Sequence, residues 1–299
     1  MSDLVSYSVD GDVAVITVNN PPVNALSPGV PEGIAAGIES ARKDTAVKSV
    51  VLIGGGRTFI AGADINEFGK ITSGEKEPDV GLLPILLQIE DCPKPVVCAI
   101  HGTALGGGLE TAMSCHYRVA VPTAQVGQPE VKLGIIPGAA GTQRLPRLTG
   151  IAKAAELCAV GDPISAAEAE TLGIVDRIVE GDLLEGAKAY AREQAASGKP
   201  PRKTREMNDR LGDPAANAVA LAELKKHVAR RARGMTAPLK AIEAVEAAGT
   251  MPFAEGCEHE RKIFIDCLFS DESKGRIQTF FGERIVAKLR ADIYAAMLR

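Results

Sequence analysis

Two glutamates stand in apolar, glycine-rich surroundings. Glu110 lies in GTALGGGLETAM (102–113), behind three consecutive glycines. Glu130 lies in GQPEVKLGIIPGAAGTQRL (127–145), where Gly134, Gly138 and Gly141 break an apolar run into turns. Carboxyls in dry surroundings shift their pKa and serve in proton transfer. Read singly, either residue is explained about as well by a surface or capping glutamate.

The glycines suggest a second chemistry. Glycine-rich turns ahead of helices commonly hold phosphates, but the two phosphate patterns fail here. A dinucleotide fingerprint counted from Gly106 requires glycine where Thr111 stands, and a P-loop counted from Gly102 requires Gly-Lys where Gly107-Gly108 stand. The physical device survives, because backbone N–H groups at a helix start suit an oxyanion as well as a phosphate. FIAGADINEF (59–68) has the same character: it follows the apolar stretch SVVLIGGG and turns at Gly62 and Ala63. Two turns, each after a strand, can offer one N–H apiece to one carbonyl oxygen, as acyl chemistry requires.

Such turns need strands and helices to hold them. DVAVITVNN (12–20), SVVLIGGG (49–56), KPVVCAIHG (94–102) and YRVAV (117–121) read as strands. Residues 29–44 and 79–91, and a run carrying Leu109, Ala112, Met113 and His116, have helical spacing. SAAEAETLG (165–173) opens with a capping box, Ser165 with Glu168, and closes on a glycine. Strands alternate with helices to about residue 178, which predicts an α/β core; from about 182 the chain reads as helix. Residues 198–234 hold ten basic residues (Lys199, Arg202, Lys203, Arg205, Arg210, Lys225, Lys226, Arg230, Arg231, Arg233) against four acids. A solvated helical face or linker is the plain reading, and a patch for an anion the sharper one. The chain divides into a core (1–197), this basic insertion or linker (198–234) and a helical C-terminal region (235–299).

Composition narrows the class. The 299 residues carry a net charge of −4, so no global pull toward nucleic acid or anionic membrane is expected. Six cysteines without a CxxC pair point to buried thiols in a reducing compartment rather than to a metal site. The N-terminus lacks a signal-peptide pattern, no apolar run nears a membrane span, and AAMLR is not a peroxisomal address. The expectation is a soluble, cytoplasmic protein. His101, His116, His227 and His259 read as packed or solvated, since the glutamates already fill the proton roles.

Taken together, FIAGADINEF, GTALGGGLETAM and GQPEVKLGIIPGAAGTQRLPRL resemble the enoyl-CoA hydratase (crotonase) family over residues 5–195. The likeness resumes weakly in 252–284. NPPVNALS and the helical insertion are similar to the hydratase half of bifunctional β-oxidation proteins, in which a 3-hydroxyacyl-CoA dehydrogenase usually follows. No dinucleotide fingerprint occurs in the 299 residues, so that half is not expected within them. The resemblance implies a crotonase-type core of repeated ββα turns with a helical C-terminal extension. It implies an oxyanion hole from the N–H groups of Ala63 and Gly107, Glu110 activating water, Glu130 protonating the α carbon, and the Gly138 N–H helping to hold the water. It implies coenzyme A contacts at Asn24, Ala25, Leu26, Ala61, Asp64, Ile65 and Phe280. Two departures, Asn66 and Glu283 where relatives often carry lysine, weaken the phosphate contacts; the basic insertion is a candidate substitute.

The implied reaction is reversible syn hydration of a 2-trans-enoyl-CoA to a 3-hydroxyacyl-CoA by a carbon–oxygen lyase. It calls for no metal or cofactor beyond the coenzyme A of the substrate. The family implies a homo-oligomer (trimer or hexamer), the bifunctional branch a monomer. Two alternatives stay open: Δ3-Δ2-enoyl-CoA isomerisation, for which relatives commonly keep only one of the two acids, and a non-catalytic acyl-CoA-binding subunit. Glycoside hydrolysis also uses paired acids, but a chain with no Trp and four Tyr lacks the usual sugar platforms.

Overall fold

A computed structural model of the chain describes residues 3–76, 81–232 and 234–297. Arg233 of the basic segment, and residues 79 and 80 of the expected 79–91 helix, lie outside them. The elements run β1 (Val5–Asp10), β2 (Val13–Val18), α1 (Val30–Lys43), β3 (Ser49–Gly54), α2 (Ile65–Thr72) and α3 (Leu82–Glu90). Next come β4 (Val96–Ile100), β5 (Thr103–Leu105), α4 (Gly107–Ser114), β6 (Tyr117–Ala120), β7 (Gln125–Gly127) and a 3-10 turn (Glu130–Leu133). Then follow α5 (Gly141–Thr149), α6 (Ile151–Val160), β8 (Ile164–Ser165), α7 (Ala166–Leu172), β9 (Arg177–Ile178) and α8 (Leu183–Ala196). A second 3-10 turn (Thr204–Glu206) leads into α9 (Pro214–Arg231), α10 (Ala237–Ala247), α11 (Phe253–Leu268) and α12 (Asp271–Met297).

The main sheet has the order β1-β2-β3-β4-β6-β9, antiparallel only at the β1 edge. Its parallel strands are covered on both faces, which is why they read as nearly unbroken apolar runs. Alternate residues part company: Val51, Val97 and Val119 pack under Ala187, Tyr190 and Ala191 of α8, while Val50, Leu52 and Cys98 face the larger core. Strands β5, β7 and β8 form a second, small sheet. The ββα turn shows at β4-β5-α4, where the first strand enters the main sheet and the second the small one, and β6 and β7 divide between the two sheets in the same way before the 3-10 turn. The expected strands do not include β1, although Val5, Tyr7 and Val9 alternate with Ser6, Ser8 and Asp10; at the sheet edge only Val5 of the six is buried.

The helical tail belongs to the same core. Ala241, Ile242, Ala244 and Val245 of α10, with Ile263, Cys267 and Leu268 of α11, join the main apolar cluster. Full burial of a side chain such as Ile242 contributes about 1.5–3 kcal/mol. Local signals held with small shifts. Ser165 Oγ accepts from the Glu168 N–H at 3.2 Å and Gly173 ends α7 at φ 80°, but Glu168 reaches Lys153 instead of closing the box. Helix α4 stops at Ser114, so His116 lies beyond it.

The basic segment is a strap tied to its own chain. Arg202 pairs with Asp176, Lys203 and Arg205 with Asp91, Lys225 with Glu246, and Lys226 with Glu223. Arg210 donates to the carbonyls of Leu148 and Leu172, the latter at the end of α7. Those six cations offset internal charges and dipoles, so they are a poor source of the phosphate contacts that the sequence suggested.

Candidate active site

In open α/β sheets ligands sit beyond the carboxyl ends of parallel strands. Here the chain leaves β3 into 55–64 and β4 into 101–107, and bridges Ile60↔Ala104 and Leu26↔Ala63 stitch these loops together. The glycines explain how closely they meet. A Cβ on Gly108 would stand 2.1 Å from the Ile60 carbonyl oxygen, so only glycine lets α4 start against that loop. Gly106 takes φ 53°, ψ −126°, and a Cβ there would come within 2.9 Å of Glu130 Oε1.

Ala63 and Gly107 face one another across this junction. A Cβ built on Gly107 would lie 3.6 Å from the Ala63 nitrogen. Neither N–H has a hydrogen-bond partner among the described residues. Gly107 opens α4, so its donor is one of those a helix leaves unsatisfied, with the positive end of the dipole behind it.

Glu110 follows one turn later and is 3% exposed. Its Oε1 accepts from the N–H groups of Ala139 and Gly141, both at 2.8 Å; Oε2 takes no hydrogen bond among the described residues. Burial pushes this carboxyl up, and the two amides and the Arg144 charge pull it partly back. Glu130 opens the 3-10 turn and is partly accessible. With its amide nitrogen turned toward the acid, Gln128 donates to both oxygens of Glu130, at 2.9 and 3.2 Å. Burial drives Glu130 well above the ordinary carboxylate range, and the charges of Glu110 and then Glu260 push it further. Two carboxyls thus sit together with different protonation preferences, the arrangement that separates a base from an acid.

Gly138 immediately precedes the amides that hold Glu110, with the Phe264 ring against its Cα: a Cβ there would meet Cδ2 at 2.7 Å. The coenzyme A positions fall into two adjoining loops and one outlier. Asn24 is buried at φ 54°, and its side chain is used internally: Nδ2 donates to Gly55 and Thr58 carbonyls, and Oδ1 accepts from Asn20 N. Its side chain therefore shapes the loop, so a coenzyme A contact at Asn24 would have to come from its backbone. Ala25 and Leu26 continue that loop. The Ala61 N–H donates to Val23, and Asp64 caps α2 while accepting from Ser27 Oγ at 2.9 Å, so the two loops move as one. Ile65 begins α2. Phe280 stands apart: its ring contacts are Phe281 and Arg284 of its own helix α12.

Three buried groups escaped sequence reading. Glu260 on α11 accepts from Ala140 N (2.6 Å), Thr142 N (2.8 Å) and Thr142 Oγ1 (2.5 Å). It hid in the charged run CEHERK; the available signal was its helical spacing with Cys257, Ile263 and Cys267, all on the buried stripe. Arg144 is fully buried, donates to Glu90 Oε2 at 2.8 Å and lies over the Phe253 ring. Glu90 also accepts from Arg205 N. The histidines are structural as expected: His116 bridges Val96 N and the Glu90 carbonyl, and burial holds it down at about 4, while His101 bonds the Gly56 carbonyl. All six cysteines are buried and unpaired. Among the described residues there is no metal-ligand cluster and no helix long and apolar enough to cross a membrane.

Comparison with known proteins agrees with this geometry. The family model described as enoyl-CoA hydratase/isomerase matches residues 9–229. A peroxisomal bifunctional enzyme of Danio rerio is 42% identical over 281 residues, covering 94% of this chain but 38% of the relative. This chain thus spans about two fifths of that relative's length. A probable enoyl-CoA hydratase of Bacillus subtilis is 48% identical over 194 residues, covering 62% of this chain and 74% of the relative. Among solved structures, an enoyl-CoA hydratase subunit from Geobacillus kaustophilus aligns at TM-score 0.60 and 32% identity, covering 94% of this chain and 95% of that one. With the family model spanning most of its length and paired glutamates beside two unpaired amides, the chain belongs to the enoyl-CoA hydratase/isomerase family.

Proposed function

We propose that the chain is an enoyl-CoA hydratase that adds water reversibly and syn to 2-trans-enoyl-CoA thioesters during acyl-CoA degradation. The observation that carries this reading is a buried glutamate held by two amides and a second, partly accessible glutamate close to it, both beside two unpaired N–H donors. The thioester oxygen would lie between the Ala63 and Gly107 N–H groups, each lowering the barrier by about 3–4 kcal/mol as negative charge builds there. Glu110, anchored through Oε1, has Oε2 to orient water and take its proton as the oxygen bonds to the β carbon. Glu130 gives its proton to the α carbon. One proton passing from Glu110 to Glu130 resets the pair, so the mechanism closes without an outside acid. The acyl-CoA itself is the partner; a cytoplasmic site is our proposal from the six free cysteines, whereas the Danio rerio relative is named peroxisomal.

Glu110→Gln and Glu130→Gln, assayed on crotonyl-CoA, should each lose about 10²–10⁴-fold in kcat. Near-normal rates in both sink the proposal. Isomerisation is the second reading, because one proton-carrying acid can serve it. Conversion of a 3-enoyl-CoA to its conjugated isomer faster than hydration of crotonyl-CoA would make it the main activity.

A further inference from the structure

Residues 139–142 divide their amides between two acids. The N–H groups of Ala139 and Gly141 go to Glu110, and those of Ala140 and Thr142 to Glu260. Between them Ala140 holds φ 68°, ψ 23°, a left-handed conformation unusual for alanine. Helix α5 begins there with no side-chain cap from its own N-cap residue. Glu260, reaching from α11 across 120 positions, supplies the missing acceptors. A residue in a sparsely populated backbone conformation persists only where its surroundings over-determine it.

Building on the proposed hydration, we infer that Glu260 is a positioning residue for Glu110. It caps α5, fixes the Ala140 turn, and so aims the Ala139 and Gly141 amides at Glu110 Oε1. Once ionised, above about pH 8, it also adds to the negative charge that keeps Glu130 protonated. The titratable groups around it are Glu110 from α4, Glu130 from the 3-10 turn, Cys158 from α6 and Cys257 on its own helix; Arg144 on α5 acts on Glu110. Its three donors favour the charged form, while burial and the Glu110 charge push its carboxyl up to about 8.

The test is Glu260→Gln, with Thr142→Ala as the gentler variant that removes one donor and leaves both amide grips. In a folded Glu260→Gln protein, kcat on crotonyl-CoA should fall roughly 10- to 100-fold, the scale of a misplaced catalytic group, with KM within about threefold. Above about pH 8, where Glu260 is ionised, the fall of kcat/KM (its basic limb) should come at lower pH in the variant, since loss of the Glu260 charge lets Glu130 release its proton sooner; a packing role alone leaves that limb in place. Thr142→Ala should shift the limb the same way with a smaller loss in kcat, and it carries the test if Glu260→Gln does not fold. A crystal structure of Glu260→Gln reads positioning without turnover: the 139–142 turn should open and Glu110 should lose an amide contact. An unchanged turn in Glu260→Gln, or wild-type kcat and limb in the folded variants, overturns the inference. A wild-type protein that leaves crotonyl-CoA untouched overturns the proposed function instead, and the turn geometry still decides the role of Glu260.

Discussion

Gly141→Ala isolates the geometry of Glu110 from the chemistry of its carboxyl. Gly141 is the first residue of α5 and is absent from the positive-φ positions, so alanine meets no backbone strain there. Helix propensity alone favours the change by up to about 1 kcal/mol. Space forbids it: a Cβ would stand 2.7 Å from Glu110 Oε1, 2.7 Å from Pro137 Cβ and 2.8 Å from the side-chain amide of Gln128. Ordinary contact begins near 3.4 Å, so neighbours must retreat by about 0.7 Å. Pro137 is a rigid ring, which leaves the carboxylate to yield. Its 2.8 Å bond to the Gly141 N–H then stretches to about 3.5 Å, outside hydrogen-bonding range. A displacement approaching 1 Å costs about 10²-fold in rate, equivalent to about 2.7 kcal/mol of barrier. Overpacking removes a further 1–3 kcal/mol or so of stability. Initial rates of crotonyl-CoA hydration, followed by loss of conjugated-thioester absorbance, and a thermal melt measure both. Gly275→Ala on exposed α12, where a Cβ meets nothing within 4 Å, is the control and should keep full activity. A folded Gly141→Ala protein with kcat within twofold of wild type refutes the reasoning.

Two further outcomes follow from the same geometry. Arg144→Met leaves buried Glu90 with only the more distant Arg205 guanidinium, at 3.9 Å, and should cost about 3–5 kcal/mol in urea unfolding; a loss below about 1 kcal/mol would show that Arg205 satisfies Glu90. Because Glu110 must be ionised and Glu130 protonated, and burial raises both, kcat/KM should be bell-shaped, with an acid limb above the ordinary carboxylate range and a basic limb higher still where Glu130 loses its proton. A profile whose basic limb lies at pH 4–5 would contradict the acid role.

Local patterns made most of the scaffold legible. The parallel strands were readable because burial on both faces leaves continuous Val and Ile runs, and α1 and α7 because their apolar spacing or caps are local. The catalytic cluster was legible because glycine is dictated by close backbone approach at 106–108, which sequence records directly. Long-range pairings were not. The side chain of Asn24 bonds Gly55 and Thr58, more than thirty positions away, which its local sequence does not record. Glu260 drew no reading, because only α11 lays it against the 139–142 turn. The basic segment left a solvated face and an anion patch both open, because its partners, such as Asp91 and Asp176, arrive from distant elements.

The bridge between Leu26 and Ala63 carries a mechanical consequence. Leu26 N donates to the Gly62 carbonyl at 2.9 Å, the other end of the same peptide group that carries the Ala63 N–H, and Ser27 is tied to Asp64 on the other side. Whatever seats the 24–26 loop therefore also sets where the Ala63 N–H points. On the proposed function, the handle of the substrate and its reacting carbonyl press on opposite sides of one stitch. Binding energy gathered far from the double bond can then be released as alignment at the oxygen. A short thioester without the nucleotide would leave that stitch slack, and its deficit would appear in turnover as well as in affinity.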